Sequence, residues 1–250
     1  MRILITGGTG FIGRALVMRL LRRGDALTVL SRDPPKAAAL LGDRVRIWES
    51  LGQWRADTAF DAVINLAGEP IIDKAWTPER KRLLLASRIG ITGQLLDGIR
   101  HCQQKPAVLL SGSAIGIYGD TGTAICTENT PLADDFAATL CRQWERAAEP
   151  AEPLGVRTVF LRTGLVLHQD GGMLKKLLLP FKLGLGSRLG DGRQTMSWIH
   201  RHDYLNAVIF LLDNTECRGA FNLTAPNPVS NAGFTDALAV SLGRKALLVT

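Results

Sequence analysis

A doubly wound α/β fold, with a parallel sheet and a smaller C-terminal lobe, is what this sequence predicts. Three observations lead there. Residues 2–30 read as strand, glycine turn, helix and strand in immediate succession. Strand-like and helix-like segments then alternate as far as Gly164, the pattern that builds a parallel sheet with helices on both faces. Beyond Gly164, glycines 171, 172, 184, 186, 190 and 192 punctuate a stretch with few long periodic segments. The expected boundaries are a sheet domain over 1–165, completed by 200–225, and a lobe over 166–250 on the substrate side.

The first unit opens with the strand Arg2–Thr6 and the turn Gly7-Gly8-Thr9-Gly10-Phe11-Ile12-Gly13. Gly7 permits a tight turn, Gly10 lets backbone lie against a pyrophosphate, and Gly13 lets the next helix pack closely on the sheet. Ile12, Ala15, Leu16 and Leu20 form that helix's apolar stripe; Arg22 and Arg23 suit its negative end, and Gly24 stops it. A strand before and a helix after are the context a dinucleotide-binding turn requires, so Gly7, Thr9, Gly10, Phe11, Ile12 and Gly13 are expected cofactor contacts. The strand Ala26–Leu30 ends in Ser31-Arg32, where an NAD site would place an acid. A guanidinium beside a hydroxyl can bind a 2′-phosphate, so NADP is expected over NAD; the plainer alternative is that Arg32 is an ordinary surface arginine.

Asp33-Pro34-Pro35 breaks the chain before a short helix, Lys36–Leu41, and Arg44–Trp48 alternates as a half-exposed strand. Asp61–Gly68 is a buried strand running into a loop whose Leu66, Ala67 and Gly68 lie where ligands sit on parallel sheets. Thr77-Pro78-Glu79 opens a long helix reaching about Cys102. Pro106–Ser113 is the next strand, either Asp134 or Asp135 caps a helix to Ala148, and Val156–Leu161 is a further buried strand.

The bulk properties exclude several classes. With 46% hydrophobic and 21% charged residues over 250, the chain is an ordinary globular one, and no apolar run is long enough to span a bilayer. A strand starting at residue 2 leaves no room for a signal peptide, and Cys102, Cys126, Cys141 and Cys217 show neither metal-ligand nor dense disulfide spacing. A cytoplasmic protein without metal is expected. The net charge of +7 comes from basic residues spread along the chain, which argues for a small-molecule partner and against nucleic acid or membrane.

Several segments together carry a resemblance. The glycine turn, Asn65-Leu66-Ala67-Gly68, Ser111-Gly112-Ser113 with Ile117-Tyr118-Gly119-Asp120, Leu161-Arg162-Thr163-Gly164, and Trp198-Ile199-His200-Arg201-His202-Asp203 occur in order. They resemble the extended short-chain dehydrogenase/reductases, which include the nucleotide-sugar epimerases. Glu69-Pro70-Ile71, Cys141-Arg142-Gln143-Trp144-Glu145 and Leu179–Gly186 narrow the likeness to an atypical, epimerase-family subgroup. The resemblance covers essentially the whole chain. It implies a Rossmann domain, an NADP cofactor with its nicotinamide near Arg162, Thr163 and Gly164, and a possible homodimer. Members of that subgroup continue past the position of Thr250, so a shortened substrate lobe is expected.

The chemistry of the wider group requires a Tyr with a Lys four residues later, on one helical face, where the ammonium acidifies the phenol. Here the two tyrosines, Tyr118 and Tyr204, are followed at that spacing by Gly122 and Val208. By resemblance the tyrosine's place falls at Ala137, or at Phe136 one residue earlier, and the lysine's at Cys141. Ser113 is retained, and Arg88 stands where the ordinary group has an asparagine. Four residues are weighed as substitutes. Tyr118 lies on the loop after the Ser113 strand, where the sequence places no cation beside it, and packing or substrate contact is the simpler role. Cys141, next to Arg142, is either a low-pKa thiol or a small buried hydrophobe, the favoured reading. His200 carries an imidazole, a side chain that commonly serves as a general acid or base, though the resemblance gives it a holding role. Arg88 either clamps a carboxylate or phosphate or pairs with a nearby acid. Arg188, Arg193 and Gln194 are substrate contacts or a solvated basic loop, and Trp144 and Trp198 are expected in the core. Two functions follow: an NADP-dependent oxidoreductase or epimerase in which Ser113 holds a substrate carbonyl, or a non-catalytic NADP-binding redox sensor or scaffold.

Overall fold

The computed structural model describes residues 1–245 and 248–249. Seven parallel strands form the main sheet: β1 (Arg2–Thr6), β2 (Ala26–Leu30), β3 (Val45–Trp48), β4 (Ala62–Asn65), β5 (Val108–Ala114), β6 (Arg157–Thr163) and a late strand, β11 (Gly219–Leu223). Their order is β11-β6-β5-β4-β1-β2-β3. The chain therefore starts mid-sheet, winds outward to β3, and returns to β4 on the other side of β1. That reversal opens a crevice at the carboxyl ends of β1 and β4.

The strand interiors are apolar on both faces because helices cover both. Ile3 and Ile5 point into one core layer and Leu4 into the other; Ala62 and Ile64 oppose Val63, and Val108 and Leu110 oppose Leu109, in the same alternation. The first layer is closed by α1 (Phe11–Arg23) and the late helix α6 (Arg201–Asp213), the second largely by α3 (Pro78–His101). Local chemistry sets the helix ends. Gly24 ends α1 in the left-handed region at φ 93°. Pro34 and Pro35, expected to precede a helix, instead form the first turn of α2 (Pro34–Leu41), where their missing N–H groups cost nothing and Asp33 accepts from Lys36 N at 3.1 Å. Thr77 caps α3, which runs unbroken. Of the two acids offered for α4 (Phe136–Ala148), it is Asp135 that caps, accepting from Ala138 N at 2.8 Å.

After β6 the chain leaves the sheet through β7 (Leu165–Leu167) and α5 (Gly172–Lys182), then β8 (Ser187–Arg188), β9 (Thr195–Met196) and β10 (Trp198–His200). It returns as α6 and β11 and finishes with β12 (Val229–Ser230), α7 (Asn231–Ser241) and β13 (Leu248–Val249). The lobe holds three small ribbons, β7 with β10, β9 with β12 and β8 with β13, and a cluster of Phe181, Leu238 and Ala239 joining α5 to α7. Two eleven-residue helices thus stand in a region whose glycines suggested few regular segments. Among the described residues no helix is long and apolar enough to cross a membrane.

Candidate functional site

The crevice at the switch point is a cleft of about 620 Å³. It brings together Gly7, Thr9 and Gly10 from the turn, Ser31 and Arg32 from the end of β2, and Leu66, Ala67 and Gly68 from the end of β4. Three buried polar side chains fix its back wall. Thr6 Oγ1 donates to Asn65 Oδ1 at 2.6 Å and accepts from Ala67 N at 3.2 Å, while Asn65 Nδ2 donates to Thr92 Oγ1 on α3 at 2.9 Å. Gly7 turns at φ 71°, and a Cβ there would lie 2.6 Å from the Leu66 carbonyl group. A Cβ on Gly13 would collide with the Gly7 carbonyl oxygen, whereas one on Gly10 would meet only that oxygen, at 3.3 Å. Gly13 therefore seats the helix, and Gly10 leaves backbone bare toward the cleft.

Two further residues of the cleft were given no role from the sequence. Lys36, on the first turn of α2, adds a second cation four residues after Arg32. Glu69 accepts from Arg32 at 3.2 Å and from the buried Arg80 at 3.4 Å. The Arg32 side chain is 92% exposed, so its pairing with Glu69 is weak and the guanidinium is available.

Not every expected cofactor contact lines the cleft. Phe11 packs against Gly171 and Gly172 of the lobe, with the Arg201 guanidinium 5.1 Å from its ring centre, and Ile12 packs on the first core layer. The Thr163 hydroxyl pairs with Tyr204 Oη at 3.1 Å, and Gly164 N donates to Leu223 O at 3.2 Å. Arg162 departs furthest from expectation, because its whole guanidinium is engaged elsewhere.

That engagement is a buried network where β5, α4 and β6 meet. Ser113 Oγ donates to Glu145 Oε1 at 2.6 Å. Arg162 grips the same carboxylate with Nε at 2.9 Å and Nη2 at 3.0 Å, and its Nη1 donates to Tyr118 Oη at 2.8 Å and to Glu128 O at 3.0 Å. Tyr118 Oη in turn donates to Asn222 Oδ1 on β11 at 2.7 Å. Ser113, Tyr118, Glu145 and Arg162 are all less than 8% exposed. Burial alone would pull the Arg162 guanidinium down; the Glu145 carboxylate and the Tyr118 hydroxyl outweigh it and hold the pKa above its ordinary value. Tyr118 thus has a cation at hydrogen-bonding distance, correcting the expectation that none stands near it. Ser113 is also not free to donate to a substrate carbonyl, since its proton is committed to Glu145.

The helix α4 reaches this network because Gly112 has no side chain: a Cβ there would lie 2.6 Å from the Trp144 ring. Glu145 falls one helical turn beyond Cys141, on the same face, and that spacing was the signal that could have found it. Cys141 itself packs with Ile117 and Tyr118, and burial pushes its thiol up to about 11, so it is the buried hydrophobe and not a low-pKa nucleophile.

Arg88 neither pairs with an acid nor faces open solvent. Its guanidinium lies flat against Gly68, where a Cβ would sit 2.9 Å from Cζ, and 5.1 Å from the Trp144 ring. It donates to Glu69 O at 3.0 Å and Leu84 O at 3.1 Å, and burial lowers its pKa. The loop after β4 is thereby pinned to α3. His200 caps α6, accepting from His202 N at 3.3 Å, and its ring lies 5.7 Å from that of His168, tilted by 44°; it is not brought to Ser113. Trp144 is buried and Trp198 half-buried, and Arg193 pairs with the adjacent Asp191 at 2.7 Å.

Comparisons with known proteins agree with this geometry. An epimerase family protein SDR39U1 homologue, chloroplastic, of Arabidopsis thaliana is 38% identical over 255 residues, covering 99% of this chain and 73% of the plant protein. Epimerase family protein MW0731 of Staphylococcus aureus is 39% identical, covering 90% and 75%. A crystal structure of human epimerase family protein SDR39U1 (isoform 2) with NADPH superposes with a TM-score of 0.89 at 34% identity, over all of this chain and 82% of the human one. The model of the NAD-dependent epimerase/dehydratase family matches residues 3–224, and the chain belongs to that family.

Proposed function

We propose that this chain binds NADP(H) in the switch-point cleft and uses it to reduce or epimerise a small carbonyl or sugar-nucleotide-like compound. The observation that carries the reading is the meeting of the glycine turn, Ser31, Arg32 and Lys36 in one cleft. The residues fit the cofactor. The bare backbone at Gly10 and the N-terminus of α1 suit a pyrophosphate, and Ser31, Arg32 and Lys36 suit a 2′-phosphate. Asp33, which also lines the cleft, turns its Oδ1 to the cap of α2. The human relative crystallised with NADPH supports the same choice.

When bound, the nicotinamide supplies a hydride donor or acceptor. The chain's own part is to manage the proton. With its hydrogen directed at Glu145, Ser113 Oγ presents lone pairs and meets a substrate hydroxyl as an acceptor. In the oxidising direction the proton of that hydroxyl passes to Ser113 Oγ as the serine proton moves to Glu145 Oε1. In the reducing direction both protons move back, from Glu145 to Ser113 and from Ser113 to the substrate oxygen, while Arg162 holds the carboxylate in place.

Isothermal titration tests the cofactor: NADPH is expected to bind more tightly than NADH, and binding of neither overturns the reading. Oxidation of NADPH against carbonyl compounds and nucleotide sugars, compared with Ser113→Ala, tests the reaction. A second reading, a non-catalytic NADP-binding sensor or scaffold, draws on the closed network that holds Ser113 and Tyr118. Turnover that disappears in Ser113→Ala would remove it.

A further inference from the structure

A second basic recess lies outside the cofactor cleft and shares no lining residue with it. It is a groove of about 760 Å³ between α1 and α6. Arg19, Arg22 and Arg23 form the α1 wall; His168, after β7, faces them with His200, Arg201 and His202 at the start of α6. Every ionisable side chain lining the groove is basic. The acids at its edge are already used: Asp25 and Asp213 bind Arg23 at 2.6 and 2.8 Å, and Asp170 binds Arg201 at 3.1 Å. Asp203, on the first turn of α6, is not part of the lining.

Two cations remain uncompensated. Arg19 donates only to the neutral amide of Asn206, and Arg22 makes no ion pair or side-chain hydrogen bond among the described residues. They sit three residues apart on α1, so both project from one side of the helix. Like charges held close together repel, and the positive N-terminal end of α6 adds to the field across the groove. Beneath them Met18, Leu205 and Ile209 supply an apolar floor. A merely solvated arginine face would have no such floor and no opposing histidine wall.

We infer that this groove is a second ligand site, taking a small organic molecule that carries two or three linked phosphates. The phosphates lie between Arg19, Arg22 and the α6 end, and the apolar floor covers the organic part. The volume falls in the range of small-molecule sites.

The probe is inorganic tripolyphosphate, titrated calorimetrically into the full chain with and without saturating NADPH. The expected result is one site per chain, unaffected by NADPH, and weakened about tenfold or more in the Arg19→Ala/Arg22→Ala double variant. NADPH affinity should be unchanged in that variant. The control is Arg44→Ala/Arg46→Ala, which removes two exposed arginines at and beside β3. Absence of heat overturns the inference. So does displacement by NADPH, which would put the probe in the cofactor cleft, and so does an equal loss in both double variants, which would mean diffuse attraction to the +7 chain. Should the Ala pair fail to fold, Arg22→Gln alone carries the test, with the same outcomes.

Discussion

Glu145 holds a carboxylate at 7% exposure, and both its oxygens are occupied by Arg162 while Oε1 also takes the Ser113 proton. Removing the charge with Glu145→Gln leaves Arg162 buried without a counter-ion, a loss on the order of 3–5 kcal/mol readable in the denaturant midpoint. Ser113→Ala removes one bond to a charged group and should cost only about 1.5–3 kcal/mol. Cys141 makes a pH-dependent prediction. Its folded pKa of about 11 lies above the unfolded value of about 8.5, so the protonated thiol is favoured in the fold. That contribution is complete below pH ~8.5 and is lost as pH rises toward ~11. Cys141→Ala should therefore flatten the fall in stability over that window, measured by denaturant titration at stepped pH. At the cleft, Arg32→Ala with Lys36→Ala is expected to weaken NADPH binding by about ten- to a hundredfold and leave NADH nearly unchanged, by calorimetry.

At the scale of elements, the two close approaches depend on missing side chains. Gly13→Ala would push α1 off the turn by forcing a Cβ against the Gly7 carbonyl oxygen. Gly112→Ala would drive Trp144 and α4 away from β5. Each should cost about 1–3 kcal/mol, and only Gly13→Ala should also reduce NADPH affinity, which separates the two roles. The first of these approaches was legible in the sequence, because the glycine spacing lies inside one strand–turn–helix unit and its geometry is local. The second was not. Gly112 and Trp144 are far apart in sequence, and nothing in either neighbourhood announces that they touch. The same distinction runs through the candidate site. Ser31, Arg32, Leu66, Ala67 and Gly68 could be placed because strand ends face the ligand in any parallel sheet. Arg162 could not, since a strand-end arginine looks alike whether it faces a cofactor or a buried acid on α4. Tyr118 failed for that reason too: its cation arrives from β6, forty-four residues on.

Across the whole molecule, the sheet is completed late. Tyr204, Leu205, Val208, Leu211 and Leu212 of α6 and Leu223 of β11 belong to the same core layer as β1 and α1. Arg157 at the start of β6, itself 6% exposed, ties them down by donating to Leu211 O at 3.0 Å, Leu212 O at 2.9 Å and Cys217 O at 2.8 Å. A fragment ending at residue 165 would expose that layer and leave β6 as a bare edge, so it should show no cooperative unfolding transition by circular dichroism. Phe11 makes a further long-range link, with its ring against Gly171 and Gly172 at the start of α5. The lobe is thereby keyed to the sheet by an aromatic ring set in a notch that two glycines leave open, and that ring stands one residue beyond Gly10. Phe11→Ala should speed amide exchange in α5 while leaving β1 and β4 protected.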